Sequence, residues 1–214
     1  FDEVHRRLLA QGFPPQFVLI LAGTHTHSGP GAYGTRLFEK ISMGHFDPRV
    51  FEALVQAITR AVVHAHQELA PVRIAYGTLM TKGLVMNRVD PGGVVEPELI
   101  VSGFYRLGAE VPFSVLINFS AHPTTLGAWN RQLSADYPGV VVREIERRVP
   151  GATCLFFAGA VADQAPVKSG SDFDRPEEIG RPLAEQAVAL LSEAHPEVPR
   201  SLHAVQARLA LPPA

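Results

Sequence analysis

A single cysteine, no marked excess of either charge and no long apolar run are what the 214-residue sequence has least of. The lone Cys154 excludes an internal disulfide, and its apolar neighbours suit a buried structural thiol. Nineteen basic and 21 acidic side chains leave a formal charge of −2, without the Lys/Arg block that counterion release on a nucleic acid requires. No nucleic-acid partner is expected. The greasiest stretch, Phe17 to Ala22, falls far short of the about 18 apolar residues of a transmembrane helix, so no membrane span is expected, while peripheral contact stays open. Only 19% of the residues are charged against 46% hydrophobic, which excludes disorder and allows a sizeable core. The chain lacks an initiator Met and its last residues are a strand-like run with Pro212 and Pro213; the expectation is one partial domain, 1–214, truncated at both ends.

What is present reads as strands alternating with helices. The pattern predicts a short helix over Asp2 to Leu9, then a strand buried on both faces over Phe17 to Ala22. The spacing of Phe51, Leu54, Val55, Ile58, Val62, Ala65 and Leu69 predicts a helix from Pro48 to Ala70, with Asp47 as N-cap and Pro71 as stop. Val72 to Met80 reads as a strand, Thr81 to Pro97 as a Gly/Pro-rich loop, and Glu98 to Leu107 with Val111 to Phe119 as a hairpin. A helix over Asp136 to Val149 and a strand over Ala152 to Phe157 follow. Pro182 breaks the next helical pattern, predicting a helix only from about Pro182 to Ala194, and Ser201 to Leu211 alternates as a last strand. The fold class is α/β, a mixed β-sheet flanked by helices, with a site at the loops after strand ends.

Three polar segments each follow an apolar strand: Thr24 to Gly31, Ser120 to Gly139 and Gly159 to Pro166. If their strands share a direction, these loops converge. His25 and His27 stand two apart in chain that reads as extended, which puts their Cβ atoms roughly 6–7 Å apart on one face. Both then reach one metal, and His122 completes a set of three such as a catalytic zinc uses; the plain alternative is a polar strand end with satisfied histidines. His64 and His66 share the spacing but lie on a helix, where two residues span about 200°, so they cannot face one ion. His5, His45, His195 and His203 lack a partner pattern. Ser28 has no nucleophile-elbow frame. Asp136 and Asp163 are available as metal ligand, histidine partner or general base, although Asp136 also suits a helix N-cap. Arg88 reads as an anion or carbonyl clamp or as a solvated charge. The apolar residues of Thr35 to Phe46, among them Leu37, Phe38, Ile41, Met43 and Phe46, predict a wall or lid over the pocket, or else a segment folded into the core.

Four blocks carry a resemblance: Thr24-His-Thr-His-Ser-Gly-Pro-Gly31; Asn87-Arg88; Asn118-Phe-Ser-Ala-His-Pro-Thr-Thr125 with Leu133-Ser-Ala-Asp-Tyr-Pro-Gly139; and Phe156-Phe-Ala-Gly-Ala-Val-Ala-Asp-Gln-Ala-Pro166. In order and spacing they resemble the catalytic domain of the neutral/alkaline, non-lysosomal ceramidases. The resemblance implies a Zn2+-dependent hydrolysis of the amide of an N-acyl lipid such as ceramide, with His25 and His122 as zinc ligands, His27 beside the metal, and Arg88 lining the pocket. Joined to the carboxylates of the converging loops, this reading takes His27 and Asp163 as catalytic and Arg88 and Asp136 as substrate-binding. It implies a secreted or periplasmic parent whose remaining ligands, a Glu and a Tyr, lie beyond Ala214. The third loop ends Asp163-Gln-Ala-Pro166 rather than in the Ser-Pro-Asn of ceramidases, a form associated with shorter bacterial relatives. The alternatives are a related metal hydrolase for another small amide or ester, and a non-catalytic binding module that keeps the fold.

Overall fold

Why the domain folds around its middle is visible in two strands, whose buried and half-buried residues alternate strictly. In β3 (Glu98–Arg106) Leu99, Val101 and Tyr105 point inward, and in β4 (Ser114–Phe119) Val115, Ile117 and Phe119 do. Period-two burial forces one face of a sheet onto a covering layer. The computed structural model describes residues 1–201, 203 and 204. It shows a four-stranded sheet in the order β1-β3-β4-β5, with β1 spanning Val72–Met80 and β5 Thr153–Ala158. β1 runs antiparallel to β3, and β3 to β4, but β4 runs parallel to β5 in the register Ile117↔Phe156 and Phe119↔Ala158. The sheet is mixed and flanked by helices, as the alternation of elements implied.

The covering layer is α4 (Asp136–Arg148), the crossover between β4 and β5, together with α5 (Asp174–Glu193). Val141 and Ile145 of α4 and Leu183 and Ala187 of α5 are fully buried against the sheet residues. Each large apolar side chain so placed contributes about 1.5–3 kcal/mol. The two helices meet at Gly180, where an added Cβ would stand 2.5 Å from Val140 Cβ and 2.9 Å from the Tyr137 carbonyl. A second, smaller cluster joins α1 (Asp2–Ala10) to α3 (Pro48–Gln67) through Val4, Leu8 and Val55, with Phe13, Phe17 and Leu19 packed on it. Asp47 caps α3 by accepting from the Arg49 amide at 2.8 Å.

Three expectations are corrected. Phe17 to Ala22 is not a strand: it has no ladder partner among the described residues, and Val18 and Ile20 are 58% and 74% exposed while Phe17 and Leu19 pack on the helices. A continuous apolar run does not say which side is covered. Pro182 does not start a helix but sits inside α5, because Ile179, Gly180, Leu183 and Ala184 on either side of it are held against α4. That packing outweighs the about 3 kcal/mol an interior proline costs. The 81–97 loop and the polar segment 159–166 each contain a strand, β2 (Val85–Asn87) and β6 (Gln164–Pro166), which pair antiparallel; three residues are too few to show a period. The Thr35 to Phe46 segment contains a short helix, α2 (Leu37–Met43). The expected last strand, Ser201 to Leu211, lies almost wholly outside the described residues.

Two outcomes test the packing. Gly180→Ala should destabilise the domain by about 1–3 kcal/mol, read as a lower urea midpoint at unchanged slope, since the backbone of α4 cannot retreat. Burial pushes the Cys154 thiol up to about 12, so the folded protein should resist iodoacetamide at pH 8 and react fully once unfolded.

Candidate metal centre

The parallel pairing of β4 and β5 brings both carboxyl ends to one edge, and the two loops that leave it are bonded together at once. Ser120 Oγ accepts from the Ala160 amide at 3.1 Å. Gly159 is needed beside it, because a Cβ there would lie 2.3 Å from that hydroxyl. His122 is then fixed twice: its amide donates to the Gln164 carbonyl at 2.9 Å, and Nδ1 faces the Val161 carbonyl at 3.1 Å. A carbonyl only accepts, so Nδ1 carries the proton and Nε2 keeps its lone pair. That lone pair faces His27 Nε2 at 2.9 Å, which assigns the His27 proton to Nε2. His122 is buried, whereas His25 and His27 are exposed.

The Thr24–Gly31 segment reaches this edge without being a strand. His25 has φ +65°, left-handed and uncommon for a residue with a Cβ. The extended geometry expected for His25 and His27 is thereby corrected: the chain turns at His25, and the rings converge by that turn. Thr26 Oγ1 donates to the Ser134 carbonyl at 2.8 Å, the Ser134 amide to the Ser28 carbonyl at 3.0 Å, and Asn130 Nδ2 to Ser28 Oγ at 2.9 Å. The ring centroids of His25 and His122 are 4.5 Å apart, those of His27 and His122 4.9 Å, and those of His25 and His27 5.3 Å. One nitrogen from each ring lies within 4.8 Å of the others, and no other group of three or more His, Cys, Asp or Glu among the described residues has this arrangement. Imidazole donors without a thiolate suit a borderline metal that keeps open positions. Neutrality is favoured. Loss of hydration lowers the pKa of His27 and of His122, and the Arg88 charge lowers both further.

Neither carboxylate joins the histidines. Asp163 accepts from Gln164 Nε2 at 2.9 Å and from Asn87 Nδ2 at 2.8 Å, while its carbonyl takes the Arg88 amide at 2.8 Å. Those bonds tie β2 to β6, and the Gln164 amide leads in holding its carboxyl below the usual range, which weakens it as a base. Asp136 is 3% exposed and its oxygens take donors from Thr125, Leu126 and Tyr137. It does not take the expected N-cap place, which is Ala135, although its Oδ1 accepts the Tyr137 amide of the first turn, and Asp136 itself has φ +56°. Arg88 is exposed, with its guanidinium donating to the Ala162 carbonyl at 2.6 and 2.9 Å, next to the residue that orients His122.

Several groups that shape the site carry no assigned role in the sequence reading: the Val161 carbonyl, Asn87, Gln164, Thr26 and Ser134. A backbone acceptor has no sequence signal at all, and the side chains look like ordinary loop polar residues. The apolar helix α2 is pinned to the end of the histidine loop, with the Ala32 amide donating to the Met43 carbonyl at 2.7 Å. Its Leu37, Phe38 and Ile41 are 69%, 82% and 72% exposed, so the segment does not fold into the core. Met43 and Phe46 line a cavity of about 580 Å³ with Tyr33 and Phe51, and the histidines do not line it.

Comparison with known proteins bears on this geometry. The family described as neutral/alkaline non-lysosomal ceramidase, N-terminal, matches residues 7–171. A neutral ceramidase of Pseudomonas aeruginosa is 27% identical over 92% of this chain and 34% of its own length, and one of Mycobacterium tuberculosis is 30% identical over 82% and 30%. The crystal structure of the Pseudomonas aeruginosa neutral ceramidase superimposes with a TM-score of 0.77 at 26% identity, covering 90% of this chain and 35% of that one. The chain thus spans about a third of the length of these relatives.

The cluster should hold a divalent transition metal. His122→Ala should empty the centre, as read by elemental analysis after dialysis. Protons compete for the same lone pairs, and both shifted histidines lie below the ordinary range. Occupancy should therefore persist through neutral pH and fall as the solution becomes acidic enough to protonate those rings. Equal metal content in wild type and His122→Ala would refute the assignment.

Proposed function

The chain belongs to the neutral/alkaline non-lysosomal ceramidase family, and from that premise we propose that it forms part of a zinc-dependent hydrolase that cleaves the amide bond of an N-acyl lipid such as ceramide. The observation that carries the reading is the convergence of His25, His27 and His122 within 4.8 Å at the sheet's carboxyl edge, inside the matched segment. His25 and His122 hold the zinc in this reading. When bound, the ion supplies Lewis-acid polarisation of the scissile carbonyl and acidification of water.

The protein's own residues do the rest. His122 presents a fixed lone pair because Val161 takes its other proton, so no tautomer change precedes binding. His27 is neutral and carries its proton on Nε2, the nitrogen that faces the centre. It is placed to donate a hydrogen bond to the scissile carbonyl as charge develops there, while the departing amine takes up the proton that the attacking water releases. Arg88 adds a fixed positive charge on the exposed side, suited to the carbonyl or hydroxyl oxygens of the substrate head. Asp163 is not given a proton-transfer role, since its oxygens are engaged by Asn87 and Gln164.

No helix of the described residues is long and apolar enough to cross a membrane. Full-length protein assayed on N-acyl amides of increasing chain length should show kcat/KM rising with length, at about 0.8 kcal/mol for each methylene that becomes buried. His27→Ala should lower kcat by about 10²–10⁴-fold while leaving bound zinc in place. A flat dependence on chain length, with activity retained on short amides, would favour a small-amide hydrolase instead.

A further inference from the structure

The two histidine loops come from distant parts of the sequence, and one four-residue segment bonds to both. Ser134 holds the first loop on either side of His27: its carbonyl accepts from Thr26 Oγ1 at 2.8 Å and its amide donates to the Ser28 carbonyl at 3.0 Å. Two residues on, Asp136 holds the second. Oδ1 accepts from Thr125 Oγ1 at 2.7 Å, from the Thr125 amide at 3.3 Å and from the Tyr137 amide at 2.8 Å, and Oδ2 accepts from the Leu126 amide at 3.2 Å. Tyr137, fully buried, donates its hydroxyl to the Ala121 carbonyl, immediately before His122. Ser134 Oγ closes the segment on itself by accepting the Asp136 amide at 3.0 Å.

We propose that Ser134–Tyr137 is a clasp, with Asp136 as the positioning residue that brings His122 into register with His25 and His27. Asp136 touches no imidazole. It acts through the 121–126 loop, and the left-handed backbone at φ +56° aims its carboxylate back at that loop instead of along α4. A carboxylate is required because all four partners donate: three protons converge on one oxygen and a fourth on the other. An amide in its place offers one acceptor oxygen and turns a donor toward one of those protons. Leu126 or Thr125 then loses its partner in a buried place, the loop relaxes, and His122 moves relative to His27. The inference extends the metal-centre reading to the residues that preorganise it, and it rests on that reading only for its effect on metal.

Asp136→Asn is the informative variant, because Asn tolerates the left-handed conformation and so leaves the backbone unstrained. Thr26→Val releases the other loop from the clasp without touching Asp136. In metal-free full-length protein, histidine 15N shifts should show wild-type His122 with its proton on Nδ1 and His27 with its proton on Nε2. In folded Asp136→Asn and in Thr26→Val that pattern should give way to averaged tautomers. Zinc affinity, measured by chelator competition, should fall by about 10–100-fold in both. Wild-type tautomers in folded Asp136→Asn would overturn the clasp, whatever the metal result. Failure of wild-type protein to bind zinc, with tautomers lost in the variants, would overturn the metal reading and leave the clasp standing. Asp136→Glu, which keeps the acceptors on a longer arm, should restore part of the wild-type pattern; identical behaviour of Glu and Asn would also count against a positioning role.

Discussion

Everything at the candidate centre hangs on the parallel pairing of β4 with β5. An antiparallel neighbour would have sent one of the two following loops to the opposite edge, and the Val161 carbonyl that orients His122 would lie a full strand length away. The pairing in turn needs the α4 crossover, which is why the covering layer and the site are not separable designs: the residues that begin α4 are those that fasten the histidine loops. The edge is drawn tight by small groups, Gly159 against Ser120 above all, so backbone polar groups close on each other without a side chain between them.

The sequence made the architecture legible where periodicity is long and one-sided. The stripes of α3 and α4 run over 20 and 13 residues and the alternation of β3 and β4 over 9 and 6, and tertiary packing agrees with them. Legibility failed where a local rule met a stronger neighbour. Pro182 should end a helix, yet the buried side chains on both sides of it share one contact with α4. Phe17 to Ala22 reads as a strand buried on both faces because hydrophobicity alone does not say which residues a helix covers.

The centre shows the same division. That His25, His27 and His122 meet could be read from loops that follow apolar runs, although the turn at His25 that brings it about could not. Asp136 and Asp163 were visible as carboxylates, but a sequence does not say that a carboxylate's oxygens are already spoken for. What decides their use is the count of donors around them, four for Asp136 and two amides for Asp163, and these come from residues up to 76 positions away. The left-handed conformations at His25 and Asp136 are costs that the surrounding bonds offset, and both lie where geometry matters to chemistry.

The 95-residue separation between His27 and His122 has an energetic consequence of its own. Closing a loop of that length in a flexible chain costs about 4 kcal/mol of entropy before any constant term. In the folded protein the sheet and the Ser134 bonds have already met that cost, so an ion arriving at the imidazoles does not. The unfolded chain offers no such gathering of ligands. If the centre holds a metal as proposed, metal concentration becomes a variable of the folding equilibrium: each tenfold of free ion above the dissociation constant would favour the native state by about 1.4 kcal/mol, and a chelator would work as a mild denaturant without touching the core.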